Sequence, residues 1–374
     1  MSVEIKELHS KSELKKFIKF QIDLYKGVEY FVPPFIDMEL STVMKDKNPA
    51  FDHCETRYWM AYKDGKAVGR IGAIIHGLEI KEKSIIRFGW FDFIDDAEVS
   101  DALMEQVINW AKERGLNAAH GPMGMTDLDF QGALVHGFDK LMTQAGLYNY
   151  EYYLDHYKRL GFEKSVDWVE LRKIVPDELP IDLNKVELLK KRYNYNVKEF
   201  KSSKEILKYG QGIFELLNET YSHLYGYYEL SQKQIDYFIK MYFGFVKKEF
   251  VMVVTDDNDK VIGFTLLLPS LSKALRKAKG SLYPFGFIHV LKAFSKNDVL
   301  DLFLVASHDD YKNKGLTGVM WVELYKRIVK FGAKAVYTGQ MLEENTNVLN
   351  LALRFDDVNP EDPEIRRRCF IKQI

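Results

Sequence analysis

The residues best suited to chemistry lie in one short loop in the second half of the chain, at positions 312–318 (Lys-Asn-Lys-Gly-Leu-Thr-Gly). An apolar, strand-like run at 299–306 precedes the loop, and a helical pattern follows it. The first backbone N–H groups of a helix have no partner within the helix, so they can bind an anion. A glycine-containing turn between a strand and a helix therefore predicts a phosphate-binding loop.

Three side chains are candidates for the general base that would take a proton from an amine acceptor. His308 closes the strand before the loop, and Asp301, near the start of that strand, could act through a water. Asp127 lies in a glycine-rich insertion at 121–143. For each of them, a structural role in a solvated turn or a packed loop is the alternative. The tyrosine-rich run at 221–228 could line a substrate pocket, with core packing as its alternative.

This strand, loop and helix resemble the pyrophosphate-binding motif of the GNAT acyl-CoA N-acyltransferase superfamily. The family pattern is a basic residue or Gln, two variable residues, Gly, one variable residue, and then Gly or Ala; Lys312, Gly315 and Thr317 stand at the three defined positions. The resemblance implies acetyl-CoA or another acyl-CoA as the donor, with an acetyl group expected, and direct attack of an amine on the thioester. The implied acyl-CoA contacts are Leu304, Val305, Ala306, Lys312, Asn313, Lys314, Gly315, Leu316, Thr317, Gly318 and Asn345.

The match to the family departs at two positions. Thr317 stands where a smaller residue is usual, and Ala352 stands where many members have the tyrosine that protonates the leaving thiolate. Asn345 fits either a contact to the pantetheine arm or a simple helix N-cap. Two alternatives therefore stay open beside the enzyme. One is a non-catalytic tandem GNAT protein that binds acyl-CoA or another ligand, and the other is a Fem-type aminoacyl transferase, which the near-neutral charge disfavours.

The two halves of the chain repeat one order of elements. Each half contains a predicted hairpin, another strand, a helix that ends at a glycine, a short strand, a last helix and a final strand. The turn at 64–65 (Asp-Gly) marks the first hairpin, and the turn at 256–259 marks the second. The predicted fold is α+β, with two tandem GNAT-like domains at 1–182 and 183–374. Each domain is expected to be a mixed twisted sheet flanked by helices, and the tail at 366–370 is expected to be the last strand of the second.

Only the second domain is expected to bind CoA. The corresponding region of the first domain, at 94–102, has no glycine and no basic residue but four carboxylates, whose charge opposes a pyrophosphate. The first domain is instead expected to form one wall of an acceptor site in the cleft between the domains, through the insertion at 121–143. A second insertion, at 271–298, is long enough to suggest a function or a contact with another domain.

Composition narrows the class of protein. The 374 residues are 47% hydrophobic and 29% charged with a formal net charge of -1, which indicates a globular chain and no general attraction to nucleic acid. No apolar run approaches the length of about 20 residues that spans a bilayer, and the N-terminus lacks a signal-peptide pattern. The two cysteines and nine histidines form no metal-binding motif. We therefore expect a cytoplasmic protein of bacterial type that uses no metal. Its expected partner is a small-molecule or peptide amine, with no membrane partner and nucleic acid disfavoured.

Overall fold

The computed structural model describes residues 2–178, 182–243, 246–345 and 363–374, which form two compact units. The first unit contains Met1–Val169, Ser272–Val290 and Glu364–Ile374. The second contains Glu170–Leu271 and Leu291–Pro363. The predicted helix at 347–355, with Ala352, lies outside the described residues.

Strands and helices are numbered in chain order. The strands are β1 (Glu4–Glu7), β2 (Cys54–Lys63), β3 (Lys66–His76), β4 (Ile85–Phe93), β5 (Ala118–Gly121), β6 (Ala133–His136), β7 (Glu163–Glu170), β8 (Arg172–Ile174), β9 (Asn196–Val197), β10 (Val251–Thr255), β11 (Val261–Pro269), β12 (Val299–Ser307), β13 (Ala335–Tyr337), β14 (Met341–Leu342) and β15 (Ile365–Gln373). The helices are α1 (Lys11–Leu24), α2 (Ile36–Thr42), α3 (Glu79–Lys83), α4 (Ala97–Glu113), α5 (Tyr153–Arg159), α6 (Leu183–Arg192), α7 (Ser203–Tyr221), α8 (Gln232–Phe243), α9 (Ser272–Ala278), α10 (Gly286–Ser295) and α11 (Leu316–Phe331).

The sheet of the first unit has the strand order β1-β2-β3-β4-β5-β15-β7, with β6 paired to β15. Alternation along β2 places successive side chains on opposite faces. Trp59 packs in the core that contains α4 and α5, whereas Tyr58 packs in the core that contains α1 and α2. The predicted Asp64-Gly65 hairpin is confirmed, since both turn residues have positive φ, 51° and 73°, as a tight two-residue turn requires.

The sheet of the second unit has the order β8-β13-β12-β11-β10-β9. Only β12 and β13 run parallel among its described pairs. One face carries α6 and α11, whose apolar side chains meet those of β10 and β11 in a single core. The predicted helix over 316–331 is confirmed; Gly332 ends it with φ +84°, a conformation that favours glycine. Both units are thus mixed sheets flanked by helices.

The C-terminal strand is the main correction to the expected organisation. We expected the tail to complete the second domain, but β15 lies in the first unit, antiparallel to β5 and between β5 and β7. There its backbone groups are paired to a strand on either side. Arg368 Nε also donates to Asp167 Oδ1 at 2.8 Å, so this arginine serves an ion pair within the unit. The compact units therefore do not follow the expected division of the chain at 182.

Replacing the aromatic residue of β15 that stacks on α5 tests whether β15 stabilises the first unit. Phe370 is buried and stacks on Tyr157 with ring centroids 4.2 Å apart. We expect Phe370→Ala to lower the free energy of unfolding of the first unit by about 3 kcal/mol, because a buried cavity replaces the ring. Urea unfolding followed by tryptophan fluorescence would measure the loss. Val329→Ala, at an exposed position of α11, is the control and should change little. Equal stabilities of the two variants would contradict this role.

Candidate functional site

One edge of strand β12 opens partway along its length. β12 pairs with β13 at only three positions, from Val299–Ala335 to Asp301–Tyr337, while its other edge stays paired with β11 as far as Ser307. The register with β11 shifts so that Leu266 faces Leu304 and Leu267 faces Leu302, which leaves Phe303 as a bulge. Beyond Asp301, no described strand pairs with the β13 side of β12. Gly339, just after β13, still lies against this edge, since an added Cβ there would be 3.0 Å from Leu302 O. The opening along the β13 side of β12 therefore lies at 304–306, where no described strand pairs with it.

The predicted phosphate loop follows the open end of β12. Residues Asp309–Lys314 form a short 3-10 turn, Gly315 adopts φ +76°, and α11 begins at Leu316. No side chain in the described part of the chain caps this helix, and its first intrahelical bond runs from Val319 N–H to Gly315 O at 3.2 Å. The N–H groups of 316–318 precede that bond, so they are the uncapped donors of the helix terminus. An added Cβ at Gly318 would meet no atom within 4 Å, so space is open there.

The lysine side chains of the loop are exposed to solvent, and a tyrosine of the same unit donates a hydrogen bond to the loop's backbone. Lys312 is exposed and pairs with Asp309, with Nζ and Oδ1 2.6 Å apart. Lys314 Nζ lies 4.9 Å from the centre of the Tyr311 ring, and the carbonyl of Lys314 accepts a hydrogen bond from Tyr195 at 3.1 Å. Both lysines place positive charge near the helix start, where an anion would be stabilised.

Asp301 is a buried acid of the second unit with a raised pKa. Its side chain is buried at the last paired position of β12 and β13, before the opening at 304–306. Burial raises the pKa of Asp301 from 3.8 to about 7; the nearby Ser270 hydroxyl opposes the rise and the Glu170 carboxylate adds to it. Neither carboxylate oxygen has a partner of normal hydrogen-bond geometry among the described residues. A carboxyl group with a pKa near neutrality is suited to accept a proton.

His308 has both ring nitrogens engaged. Nδ1 accepts a hydrogen bond from the Asp310 N–H at 3.2 Å, which fixes the neutral ring as the Nε2–H tautomer. Nε2 lies 3.0 Å from Glu219 Oε1, a carboxylate at the edge of a groove of about 310 Å³ between α7 and the β10–β11 hairpin. His308 therefore caps the turn before the predicted phosphate loop and connects that turn to α7.

Tyr221 is a contact that the residue patterns did not single out. At the end of α7, its hydroxyl donates to the carbonyl of Val305 at 3.0 Å, so it reaches the strand that lines the opening. The tyrosine-rich run at 221–228 was the available signal, but periodicity cannot show which ring reaches a strand. The other expected contact residues, Leu304 and Ala306, lie in β12, and Asn345 lies just after β14, with its N–H bonded to Leu342 O at 3.0 Å.

Asp127 belongs to the first unit. Its carboxylate accepts a hydrogen bond from Gln131 at 3.2 Å, and burial raises its pKa from 3.8 to about 6. Its neighbour Asp129 accepts from both the N–H and the hydroxyl of Thr126, at 2.8 and 3.1 Å. Both carboxylates thus form contacts within the insertion at 121–143, and a role for Asp127 toward an acceptor stays a prediction.

The first unit has the same pair of strands, but its own chain lies along the opening. β4 pairs with β5 from Ile85–Ala118 to Arg87–His120, again at three positions. Next along β4, Met123 N–H donates to Phe88 O at 2.8 Å, and an added Cβ at Gly89 would lie 2.6 Å from Met123 O. The insertion backbone therefore takes the place along β4 where a ligand would lie.

The start of helix α4 corresponds, in the order of elements, to the start of α11 after the predicted phosphate loop. Its first N–H groups are already capped by a carboxylate. Asp96 caps the helix by accepting from the Glu98 N–H at 3.0 Å. Lys63 pairs with both acids, with its Nζ 2.5 Å from Asp96 and 2.9 Å from Glu98, which leaves one negative charge on the three side chains. A pyrophosphate would have to displace this cap and face its negative charge.

In the two units, side chains of opposite charge stand at the last of the three paired positions between the parallel strands. Asp301 holds this position in β12, whereas Arg87 holds it in β4. Arg87 is fully buried and donates to Glu79 at 2.6 Å, and the same Glu79 oxygen lies 3.3 Å from His120. Burial opposes ionisation of Glu79, yet these partners hold its pKa well below the usual range. Arg87 is thus satisfied inside the first unit by an ion pair, while no ion pair among the described residues involves Asp301, which has the Ser270 hydroxyl nearby.

Comparison with known proteins agrees with this architecture. No family model matches the chain. The chain is 26% identical over 380 residues to Protein YghO of Escherichia coli K12, covering 98% of this chain and 94% of that protein. It is 24% identical over 288 residues to the bacterial ceramide synthase of Caulobacter vibrioides, covering 75% and 73%.

Solved structures match the whole chain at low sequence identity. A tandem GNAT protein from the clavulanic acid biosynthesis pathway superposes with a TM-score of 0.56 at 11% identity, covering 100% of this chain and 98% of that one. A GCN5-related N-acetyltransferase from Sphaerobacter thermophilus gives a TM-score of 0.50 at 9% identity, covering 99% and 95%. The chain therefore has a tandem GNAT fold.

Proposed function

We propose that this protein is an acyl-CoA-dependent N-acyltransferase with a single donor site, in the second unit. The observation that carries the proposal is the opening along β12 beyond Asp301, with the uncapped start of α11 following its open end. An acyl-CoA needs both features, because its pantetheine arm is extended and its pyrophosphate is anionic. In the first unit, Met123 lies along the corresponding part of β4, and Asp96 caps the corresponding helix.

The proposed donor contacts are mostly backbone groups. The N–H groups of 316–318 would hold the pyrophosphate, with Lys312 and Lys314 adding positive charge. The pantetheine arm would extend beside Leu304–Ala306, and a backbone N–H at the Phe303 bulge or at Val305 would stabilise the developing oxyanion. These groups are set by the strand and the helix, so they need no rearrangement when charge develops.

In the proposed reaction, a neutral amine attacks the thioester carbonyl and forms the new C–N bond. The tetrahedral intermediate then collapses, the C–S bond breaks, and CoA leaves as a thiolate that takes up one proton. Asp301 would accept the proton that the nitrogen loses, through a water because its side chain is buried. No covalent intermediate on the protein is required.

For the acyl acceptor we propose a long-chain amine, alongside the small-molecule or peptide amine expected from the sequence. Support comes from the relative named a bacterial ceramide synthase, because a ceramide is the amide of a fatty acid and a long-chain amino alcohol. The experiment compares acetyl-CoA with a long-chain acyl-CoA, each with a sphingoid base and with a peptide amine, and follows release of the CoA thiol. Tight CoA binding without release from any combination would favour a non-catalytic ligand-binding protein, and transfer from aminoacyl-tRNA alone would favour the Fem-type alternative.

CoA is expected to bind once per chain. Calorimetric titration of the full-length protein should give a stoichiometry of one, and saturating CoA should raise the melting temperature because it binds the native state. The full chain is used because β15 completes the first unit, so a fragment that ends near residue 182 lacks a strand of its sheet. A stoichiometry of two would show that the first unit also binds CoA and would overturn the single-site proposal.

A further inference from the structure

The segment Ser272–Ser295, which comprises α9, α10 and the turn between them, carries a cluster of apolar side chains exposed to solvent. Among the described residues, five of the ten exposed large hydrophobic side chains lie within positions 283–291. They are Tyr283, Phe285, Phe287, Ile288 and Leu291, and the first two are 77% and 70% exposed. Exposed apolar patches of this density mark binding surfaces.

Residues Ser272–Val290 of the segment belong to the first unit, and Leu291–Ser295 belong to the second. The base of the first part is fixed within the first unit. Ala274 and Leu275 on α9 are buried, and the carbonyl of Gly280 accepts a hydrogen bond from Ile36 N–H at 3.0 Å. Gly280 has φ +73°, and an added Cβ would lie 2.4 Å from the carbonyl of Pro34, so only glycine fits there. The exposed turn therefore stands on a well-anchored base.

The exposed residues of α10 share one face. Phe287 and Leu291 are four residues apart and Ile288 and Leu291 three apart, so their side chains are neighbours on the helix surface. Phe285 and Tyr283 continue the apolar surface into the preceding turn. Phe294, one turn beyond Leu291, is buried. Within the first unit, Phe287 and Ile288 of α10 thus extend the exposed apolar surface of the preceding turn.

Basic residues flank this apolar cluster in the sequence, and acidic residues are absent from the segment. Lys273, Arg276, Lys277, Lys279 and Lys292 are its charged side chains, whereas the whole chain has a net charge of -1. No ion pair within the described ranges involves any of these five residues. The segment thus combines exposed aromatic and aliphatic side chains with unneutralised positive charge.

We propose that this segment docks on the surface of an anionic lipid bilayer. Aromatic rings and aliphatic side chains favour the boundary between headgroups and acyl chains, and lysines and arginines favour anionic headgroups. A protein partner fits less well, because lysine is depleted from protein–protein interfaces. None of the described helices is long and apolar enough to cross a membrane, and docking at the surface requires no such helix. The expectation of no membrane partner rested on the lack of a spanning segment and on the net charge of -1, which gives the whole chain no attraction to anionic lipid. Surface docking needs neither a spanning segment nor a basic chain, because the basic side chains of this segment act locally.

Flotation with lipid vesicles tests this proposal independently of acyl transfer. Vesicles of phosphatidylcholine containing about 30% phosphatidylglycerol should bind the full-length protein, and pure phosphatidylcholine vesicles should bind it at least about tenfold more weakly. Raising the salt concentration should weaken binding, because it screens the lysines. The double variant Phe285→Ser with Phe287→Ser should lower the affinity about tenfold or more at any salt concentration. The double variant Lys277→Gln with Lys279→Gln should lose the preference for anionic vesicles.

Two matched variants control for general effects of surface substitution. Leu207→Ser with Val329→Ser removes exposed apolar side chains elsewhere, and Lys330→Gln with Lys334→Gln removes exposed lysines elsewhere; both should bind vesicles as the unmodified protein does. Absence of vesicle binding by the unmodified protein would overturn the proposal, as would unchanged binding by the Phe285 and Phe287 variant. Self-association that this variant abolishes, without any vesicle binding, would assign the surface to a second copy instead. CoA binding and thiol release are measured separately, so failure of docking and failure of the proposed function are distinguishable.

Discussion

Asp301→Asn is expected to abolish acyl transfer and, at the same time, to stabilise the second unit above neutral pH. Asn has nearly the shape of Asp but cannot accept the proton, so turnover should fall by about 10²- to 10⁴-fold, the usual contribution of a general base. CoA affinity should stay unchanged, because the proposed donor contacts are backbone groups of 304–306 and 316–318. Loss of turnover with intact CoA binding would separate a catalytic role from a structural one.

The stability effect follows from the direction of the pKa shift. The pKa of Asp301 is raised from 3.8 to about 7 in the folded protein, so the folded state holds its proton more tightly than the unfolded state does. The contribution of protonated Asp301 to stability is therefore complete below pH 4 and is lost as the pH rises to about 7. Because Asn is never charged, the variant should be more stable than the parent by up to about 4 kcal/mol at pH 8. The two proteins should be nearly equal at pH 4.

Denaturant unfolding at pH 4 and pH 8, together with the pH dependence of kcat/KM, would check both parts of this prediction. In the parent protein kcat/KM should rise with pH through about 7, as the carboxylate forms. Asp298→Asn is the matched control, since Asp298 is an exposed acid immediately before β12. It should change neither activity nor the pH dependence of stability. Full activity of Asp301→Asn would remove Asp301 from the proposed mechanism.

Gly318→Asp is expected to lower CoA affinity about 100-fold without destabilising the fold. The position lies in the first turn of α11, its φ is not positive, and an added Cβ meets nothing within 4 Å, so the side chain is accommodated. A carboxylate there would repel a pyrophosphate at the same helix start. The same charge favours the helix N-terminus by about 0.5 kcal/mol, so the melting temperature without ligand should stay the same or rise slightly.

Two further substitutions separate charge from shape at this helix. Gly318→Asn adds nearly the same volume without charge and should keep most of the CoA affinity, as measured by calorimetry. Gly332→Asp places a carboxylate at the other end of α11, where φ is +84°, so it should lower stability but not CoA affinity. Equal CoA binding by the parent and Gly318→Asp would show that the start of α11 is not the pyrophosphate site. Gly318 is a better test than Gly315, where an added Cβ would lie 2.7 Å from Leu189 and strain the loop itself.

Local signals in the sequence were enough to predict the first hairpin and the helix after the predicted phosphate loop. The Asp64-Gly65 turn favours one tight hairpin, and the four-residue apolar spacing along 316–331 with Gly332 after it predicts one helix; both act within a few residues. The repeat of hairpin, strand and helix in both halves then indicated two copies of one fold. The loop at 312–318 was placed correctly between its strand and its helix for the same reason.

Tertiary structure alone decided which sheet the tail joins and what surrounds Asp301. β15 pairs with β5, more than 240 residues earlier in the chain, and nothing in its own residues names that partner. The pKa of Asp301 depends on burial and on Glu170, which is distant in sequence, and the filling of the first unit's opening depends on how Met123 folds back along Phe88. Sequence patterns report the preferences of neighbouring residues. Strand partners, desolvation and occupied openings are set by contacts between residues far apart in the chain, so only the folded structure reveals them.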